Sequence, residues 1–179
     1  MAAHSVHIFL LGPMGSGKSY CGRELARLLD FDFVDLDERI ETGENRTIGR
    51  IFAEQGEEAF RLLERDYLLS LFPDPRDLVV ATGGGTPCFF DNLPQMNRHG
   101  ITIYLQTTLE LLVERLRPEA AKRPLLGTTR PEQIRIRLEE QLSWRAAYYE
   151  QAHIVYEQKR ADQPVASELA AYFLRIVGH

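Results

Sequence analysis

The residues best suited to chemistry lie in one stretch near the start of the chain, Gly12-Pro13-Met14-Gly15-Ser16-Gly17-Lys18-Ser19. It fits G-x-x-x-x-G-K-[ST] at every fixed position, and its glycines let successive backbone N–H groups point into one concavity for anion oxygens. Lys18 is expected to reach the β- and γ-phosphates of a nucleotide, and the Ser19 hydroxyl to ligate Mg²⁺. The alternative is a glycine turn beside a chance lysine, which is disfavoured because a strand pattern precedes the stretch and a helix pattern follows it. The predicted nucleotide-binding residues are Gly12, Gly15, Ser16, Gly17, Lys18, Ser19 and Tyr20.

Two carboxylates, Asp35 and Asp37, close the short apolar run Phe33–Leu36. Residues two apart in an extended chain share a face, so both could point to one ligand. One carboxylate could hold Mg²⁺ through water, since this ion keeps much of its hydration shell, and the other could accept or orient a hydroxyl proton. The alternative is an acidic turn that caps the next helix.

Three consecutive glycines, Gly83, Gly84 and Gly85, directly follow the apolar run Leu78–Ala81. Glycines lose much backbone entropy on folding, so three together indicate a need for close backbone approach or for unusual dihedrals. We expect them to form one wall of a substrate site and to offer N–H donors. A merely tight turn is the alternative.

Arginines supply the positive charge that an anionic substrate would need. Arg61 and Glu64 stand three apart on one face of a predicted helix, so Glu64 could hold the Arg61 guanidinium for an anionic substrate. Taken alone, the pair is more typical of a surface ion pair, which stabilises little. Arg123 and Arg145 are typical of solvated arginines, although a guanidinium fork suits carboxylate or phosphate.

The elements that must position these residues alternate between short apolar strands and helices. The predicted strands are Val6–Leu11, Phe33–Leu36, Leu78–Ala81, Ile101–Leu105 and His153–Tyr156. The predicted helices are Lys18–Leu29, a helical region from Ile40 to Leu71 with breaks at Gly43, Gly49 and Gly56, then Leu109–Leu116, Pro131–Tyr149 and Val165–Ile176. This alternation predicts an α/β fold of three layers, α/β/α, around a central five-stranded parallel sheet. Ligands of such sheets bind at the carboxyl ends of the strands, which is where the candidate residues fall.

Composition narrows the class of function. The 179 residues suffice for a single domain, and a net charge of −5 argues against a nucleic-acid or anionic-membrane partner. Cys21 and Cys88 match no metal-ligand spacing or disulfide framework, and no leader or membrane segment is visible, so we expect a cytoplasmic protein. The segment Pro118–Arg130 is rich in proline, glycine and basic residues and is predicted to be a mobile loop.

In combination, the motifs resemble those of the shikimate kinases over nearly the whole chain. Two positions depart from the family's pattern: Leu36 stands where a small hydroxyl residue is more usual, and Tyr20 stands where threonine is common. Neither departure removes a group that the chemistry requires. Besides the phosphate loop, the matching pieces are Asp35-Leu36-Asp37, Ile51-Phe52-x-x-x-Gly56-Glu57-x-x-Phe60-Arg61-x-x-Glu64, Ala81-Thr82-Gly83-Gly84-Gly85, Arg123-Pro124-Leu125-Leu126 and Arg145-x-x-Tyr148.

The resemblance implies transfer of the γ-phosphoryl group of ATP to the 3-hydroxyl of shikimate. It implies the P-loop kinase fold, with a substrate-binding lobe over residues 37–71 and a mobile lid over residues 118–130. Adenine would be held by Arg115 or Arg117 and by Lys159 or Arg160, of which Arg160 is the predicted residue.

The resemblance also assigns roles to single residues. Lys18, Asp37 and Arg123 would be catalytic, with Arg123 moving toward the phosphates with the lid. Ser19 would ligate Mg²⁺ directly and Asp35 through water. Shikimate would be bound by Asp37, Arg61, Gly83, Gly84, Gly85 and Arg145, with the two arginines on its carboxylate. Because an unperturbed aspartic acid has a pKa of about 3.9, Asp37 is expected to be a weak base that mainly orients the hydroxyl.

Two other functions remain open at this point. The first is a different small-molecule P-loop kinase, acting on gluconate or a nucleoside monophosphate. The feature that discriminates against it is the pair Arg61 and Arg145 on one carboxylate beside the Gly83–Gly85 wall, since a nucleotide acceptor would need an aromatic or amide pocket for its base. A nucleotide-binding protein without catalysis would be expected to lack Lys18, Asp37 or Arg123, and all three are present. Small kinases of this type are commonly monomers, so a monomer is expected.

Overall fold

The structure is a computed structural model that describes residues 5–118 and 130–177. Within these residues, short strands and helices alternate along the chain as the sequence predicts. Several predicted bounds coincide with the observed ones, among them those of the first helix and of the third strand. In chain order the elements are β1 (His7–Leu11), α1 (Lys18–Leu29), β2 (Asp32–Asp35), α2 (Leu36–Glu44), α3 (Ile48–Leu69), β3 (Leu78–Ala81), a 3₁₀ turn (Thr86–Cys88), α4 (Asn92–His99), β4 (Ile101–Thr107), α5 (Leu109–Leu116), α6 (Pro131–Tyr149), β5 (Ile154–Gln158) and α7 (Val165–Val177).

The five strands form one parallel sheet in the order β2-β3-β1-β4-β5. β1 is central, and its Leu10 lies opposite Ala81 of β3 and Ile103 of β4. Asp35, the last residue of β2, also lies opposite Ala81. The loops that follow β1, β2 and β3 therefore start at one edge of the sheet, where parallel sheets bind ligands.

Side chains alternate between the two faces of β1 and build a separate core on each. Phe9 and Leu11 join a core with residues of α2, α3, α4 and α6, whereas Ile8 and Leu10 join one with residues of α1 and α7. All four side chains are fully buried. A parallel sheet covered on both faces requires such apolar strands, and the predicted three-layer α/β/α fold is confirmed.

A smaller apolar cluster joins α5 to α6. Leu112 and Leu116 of α5 pack with Ile134 and Leu138 of α6, and Met14 of the phosphate loop packs against the same cluster. The helices on either side of residues 119–129 thus contact the phosphate loop. The predicted lid lies outside the described residues except at its two ends, Pro118 and Arg130.

The region between β2 and β3 differs from its prediction. β2 ends at Asp35, and Asp37 lies in the first turn of α2, because the Asp35 Oδ1 atom accepts hydrogen bonds from the backbone N–H groups of Asp37 and Glu38. The two aspartates therefore do not share a strand face. Of the three predicted glycine breaks only Gly56 interrupts a helix, with φ 82° inside α3.

Two further elements were missing from the predicted set: the 3₁₀ turn Thr86–Cys88 and the helix Asn92–His99. Both lie between β3 and β4, and both contribute buried side chains. In the ranges 5–118 and 130–177, no helix combines the length and the apolar character that crossing a membrane requires.

Candidate active site

The phosphate loop joins β1 to the first turn of α1. Gly17 caps this helix with φ 89° and no side-chain hydrogen bond, so no side chain caps the N–H groups of the first turn. Lys18 is buried, and its Nζ atom donates to the carbonyl oxygens of Gly12 at 2.8 Å and Pro13 at 2.9 Å. The Ser16 hydroxyl is buried and has no hydrogen-bond partner in the described part of the chain. These features fit a phosphate group.

Ser19 and Asp35 bring two oxygen atoms together beside this loop. The Ser19 hydroxyl donates to Asp35 Oδ2 at 2.5 Å, while Asp35 Oδ1 caps α2. Hydroxyl and carboxylate oxygens suit Mg²⁺, which proteins usually hold by one or two side chains together with substrate phosphates. Within residues 5–118 and 130–177, no group of three or more histidine, cysteine or acidic side chains could hold a metal.

Asp37 lies next to the phosphate loop in an environment that favours its neutral form. Burial raises its pKa to about 6, and the carboxylates of Asp35 and Glu64 add to the rise, while Lys18 opposes it. This pKa differs from the ordinary value on which the expectation of a weak base rests, and a general base works best with a pKa near the working pH. The cause is tertiary, because residue types alone do not reveal how deeply a carboxylate is buried.

Arg61 and Glu64 form a buried ion pair on α3. Arg61 Nη1 donates to Glu64 Oε2 at 2.8 Å, and the two residues are only 7% and 1% exposed. The other Glu64 oxygen accepts a hydrogen bond from the Thr86 hydroxyl at 2.6 Å, and the Arg61 guanidinium stacks over the Phe89 ring. The alternative of a surface ion pair therefore does not hold.

The glycine run Gly83–Gly85 leaves room for charged side chains that approach its backbone closely. A β-carbon at Gly85 would lie 2.6 Å from Arg61 Nη2, and one at Gly83 would lie 2.7 Å from Glu64 Oε1 and 3.0 Å from Asp37 Oδ1. The distances of 2.6 and 2.7 Å are shorter than those that real β-carbon atoms show in proteins. Gly85 has an ordinary φ of −94°, so space rather than conformation requires glycine there.

Arg145 reaches the same run from α6. Its Nη1 atom is 3.6 Å from the β-carbon position of Gly84, and its Nε atom is buried without a partner in the described part of the chain. Both guanidiniums lie near the Cys88 thiol. Burial raises the pKa of this thiol to about 11, while the positive charges of Arg145 and Arg61 act to lower it. The structure thus brings Arg61 and Arg145 to consecutive glycines, which the sequence could not show.

A cavity of about 830 Å³ extends from the phosphate loop along residues 161–167, between β5 and α7. Arg115 lines it and donates to Gln158 Oε1 at 3.1 Å and to the Gly15 carbonyl at 3.4 Å, and burial lowers the pKa of its guanidinium. Tyr20 also lines the cavity, although its side chain is largely exposed.

Outside the phosphate loop, the other described residues predicted to bind the nucleotide do not line this cavity. Arg117 is exposed and does not line the cavity. Arg160 is 73% exposed at its side chain and pairs with Asp162, and Lys159 pairs with Glu157. The predicted role of Arg160 stays a prediction, and Arg123 lies outside the described residues.

Three residues near the site were not predicted as site residues from the sequence: Thr86, Tyr149 and Gln158. Tyr149 donates its hydroxyl to the Gly84 carbonyl oxygen at 2.5 Å, whereas the neighbouring Tyr148 of the matched motif is partly exposed. Helical spacing was the available signal for Tyr149, which lies three turns after Leu138 on the buried face of α6. Thr86 directly follows the glycine run, and this position was the available hint.

Comparisons with known proteins agree with this geometry. A family model described as shikimate kinase matches residues 14–176. The shikimate kinase of Parabacteroides distasonis is 41% identical over 153 residues, which are 86% of this chain and 88% of that protein. A crystal structure of shikimate kinase from Bacteroides thetaiotaomicron has a TM-score of 0.88 at 34% identity and covers 97% of this chain and 99% of its own. Shikimate kinase from Acinetobacter baumannii, in complex with shikimate, has a TM-score of 0.82 at 37% identity, with 97% and 93% covered.

Proposed function

The chain belongs to the shikimate kinase family, and on that premise we propose that its residues divide the reaction between an acceptor half and a nucleotide half of one site. The reaction transfers the γ-phosphoryl group of ATP to the 3-hydroxyl of shikimate and gives ADP and shikimate 3-phosphate. Such transfer depends on positioning and on charge stabilisation more than on covalent chemistry by the protein.

The observation that carries the acceptor half is the row of charged groups along the glycine run. Arg61 lies against Gly85, Arg145 against Gly84, and the Asp37 carboxylate against Gly83. Gly83 and Gly85 are two residues apart, so their Cα atoms are at most about 7 Å from each other and the three side chains lie along one short stretch of chain. This order of charges suits a small acceptor that carries both a carboxylate and a hydroxyl.

In this arrangement Arg61 and Arg145 bind the carboxylate of shikimate. The guanidinium fork matches a carboxylate better than an ammonium group does. Asp37 binds the ring hydroxyls and accepts the proton of the 3-hydroxyl, for which its pKa of about 6 suits it. The glycine run Gly83–Gly85 forms the wall against which the ring lies.

The nucleotide half consists of the phosphate loop and its surroundings. Lys18, the Ser16 hydroxyl and the first turn of α1 bind phosphate oxygens. Arg115, which lines the cavity, holds the adenine base. Ser19 would hold Mg²⁺ directly and Asp35 would hold it through water, and the bound ion would supply positive charge to offset that of the phosphates. Arg123, within the proposed lid at residues 118–130, offsets charge on the transferred group.

We place the other expectations in the same proposal. Residues 37–71, which include α2 and α3, serve as the substrate-binding lobe and carry Arg61. The protein acts as a monomer in the cytoplasm, without a nucleic-acid or membrane partner. Its net charge of −5 and its two free, buried cysteines support this setting.

A coupled ADP-release assay with Mg²⁺ and ATP tests the proposal directly. Shikimate, shikimate methyl ester, gluconate, AMP and no acceptor are compared. We expect release with shikimate, and about a hundredfold lower kcat/KM with the ester, because the ester removes the carboxylate charge and keeps every hydroxyl. Equal activity with shikimate and its ester would contradict the carboxylate clamp. Activity only with gluconate or AMP would contradict the acceptor half and leave the nucleotide half standing.

A further inference from the structure

Two adjacent tyrosines end α6, and they have opposite environments. Tyr149 is 0% exposed, and its ring packs against Tyr104 with centroids 5.0 Å apart. Tyr148 is 38% exposed and contacts Trp144 at the helix surface. The Tyr149 hydroxyl donates to the carbonyl oxygen of Gly84, so a side chain of α6 is hydrogen-bonded to the backbone of the glycine run.

Gly84 lies where the glycine run meets both α6 and the phosphate loop. Its β-carbon position is 3.6 Å from Arg145 Nη1 on α6, 3.5 Å from the Met14 backbone nitrogen and 3.6 Å from the Gly12 carbonyl oxygen. Arg145 and Tyr149 are four residues apart on the same helix and therefore occupy one face. The Tyr149–Gly84 hydrogen bond is thus one helical turn from the guanidinium that the proposed function places on the carboxylate of the acceptor.

We propose that Tyr149 is a positioning residue for the acceptor, because its hydroxyl fixes the distance between α6, which carries Arg145, and the glycine run. The inference rests on the proposed function and names a residue that acts through Arg145 and Gly84 without touching the substrate. The packing on Tyr104 holds the ring in place, so the hydroxyl reaches one position only. Burial raises the pKa of the Tyr149 hydroxyl, which keeps it protonated and able to donate.

The effect should fall on shikimate rather than on ATP. Gly84 lines the cavity beside the phosphate loop, but Tyr149 does not, and Lys18 is held in that loop by the loop's own carbonyl oxygens, which do not depend on α6. Without the hydroxyl, the Gly84 carbonyl loses its donor and α6 can shift relative to the glycine run. Recognition of the carboxylate by Arg145 depends on the distance between Arg145 and the glycine run. Because small misplacements of binding groups reduce catalysis strongly, a shift of α6 should weaken the use of shikimate.

Tyr149→Phe removes the hydroxyl and keeps the ring, and Tyr148→Phe is the matched control. We expect Tyr149→Phe to raise the KM for shikimate about tenfold, with the KM for ATP changed less than about twofold. The control should leave both constants unchanged. Trp144, the single tryptophan, lies beside Arg145, so its fluorescence gives the shikimate Kd without catalysis, and this Kd should rise in parallel.

A double-mutant cycle with Arg145→Ala separates this role from general stabilisation. If Tyr149 acts through Arg145, Tyr149→Phe should change the shikimate KM less than about twofold in the Arg145→Ala background, so the two effects are not additive. Additive effects would overturn the inference, as would an unchanged shikimate KM in Tyr149→Phe or equal rises in both KM values with a lower Tm. If Arg145→Ala itself leaves the shikimate KM unchanged, the proposed clamp fails; if it raises that KM and Tyr149→Phe does not, only the inference about Tyr149 fails.

Discussion

Two regions at one edge of the sheet are built in different ways: the phosphate loop and the acceptor pocket, our name for the residues proposed to bind shikimate (Asp37, Arg61, Arg145 and Gly83–Gly85). The phosphate loop is one continuous stretch, and backbone groups do much of its work: glycines with positive φ, the first turn of α1, and carbonyl oxygens that hold Lys18. The acceptor pocket takes single side chains from separate elements: Asp37 from α2, Arg61 from α3 and Arg145 from α6.

The two regions also differ in how their buried charges are stabilised. In the acceptor pocket, Arg61 pairs with Glu64 and with Glu57, and Glu64 also accepts a hydrogen bond from Thr86, so each charge has a partner. Asp37 has carboxylates nearby, and burial leaves its pKa raised. A substitution in the phosphate loop should therefore act locally, whereas one in the acceptor pocket should change both binding and stability.

The largest expected effect comes from Lys18→Met in the phosphate loop. Removing the ammonium group should lower kcat by about a thousandfold or more, because charge on the transferred phosphoryl group is no longer offset there. Shikimate affinity, measured by Trp144 fluorescence, should change less than about twofold. A parallel loss of shikimate affinity would show that the two halves are not independent and would break the comparison.

Arg61→Ala should have the next largest effect, and on both binding and stability. We expect the shikimate KM to rise about a hundredfold with little change in the KM for ATP, since a buried carboxylate contact is lost. Unfolding should cost about 3 kcal/mol less, because Glu64 is left buried without its partner. Arg50→Ala is the control, since Arg50 lies on the same helix in an exposed pair with Glu54. Equal losses of ATP and shikimate affinity would mean that Arg61 is structural.

Asp37→Asn should inactivate the enzyme and yet stabilise the metal-free protein at neutral pH. The folded protein raises the pKa of Asp37 to about 6, so the folded state binds more protons than the unfolded one, and stability falls as pH rises from about 4 to about 6. A shift of about two units corresponds to up to about 3 kcal/mol above pH 6. Asparagine removes this penalty.

Denaturant unfolding in EDTA measures this effect at several pH values. The gain in the free energy of unfolding should be present at about pH 8 and should fall to a small remainder at about pH 4, where Asp37 is protonated in the folded state and about half protonated in the unfolded state. A gain of the same size at both pH values would contradict the cause assigned to it. A loss at pH 8 would show that the charged carboxylate stabilises the fold.

The smallest effects are expected from two arginines that are candidates for binding ATP in the nucleotide half. Arg115→Ala should raise the KM for ATP about tenfold, because Arg115 lines the cavity and donates to the Gly15 carbonyl. Arg160→Ala should change it less than about twofold if the side chain stays as exposed as it is here. The reverse order would support the sequence-based choice of Arg160. Unchanged shikimate KM values in both variants serve as the control.

Several features of the fold could be predicted because they depend on short stretches of chain. Continuous apolar runs predicted the strands, and the bounds of α1, α5 and α6 came out as expected because caps and prolines mark helix ends. The prediction that Asp35 and Asp37 share a strand face was wrong, because Asp35 caps α2 and the helix begins directly after it. Helix α4 had no strong local pattern and was not predicted.

The sequence by itself determined the family, the fold class and the phosphate loop, because each depends on residues close together along the chain. Only the tertiary structure decided that Arg61 is buried, that Arg61 and Arg145 lie against consecutive glycines, and that Tyr149 rather than Tyr148 contacts Gly84. It also decided the raised pKa of Asp37. Burial and charge proximity arise between elements that are distant in sequence, so spacing along the chain does not encode them.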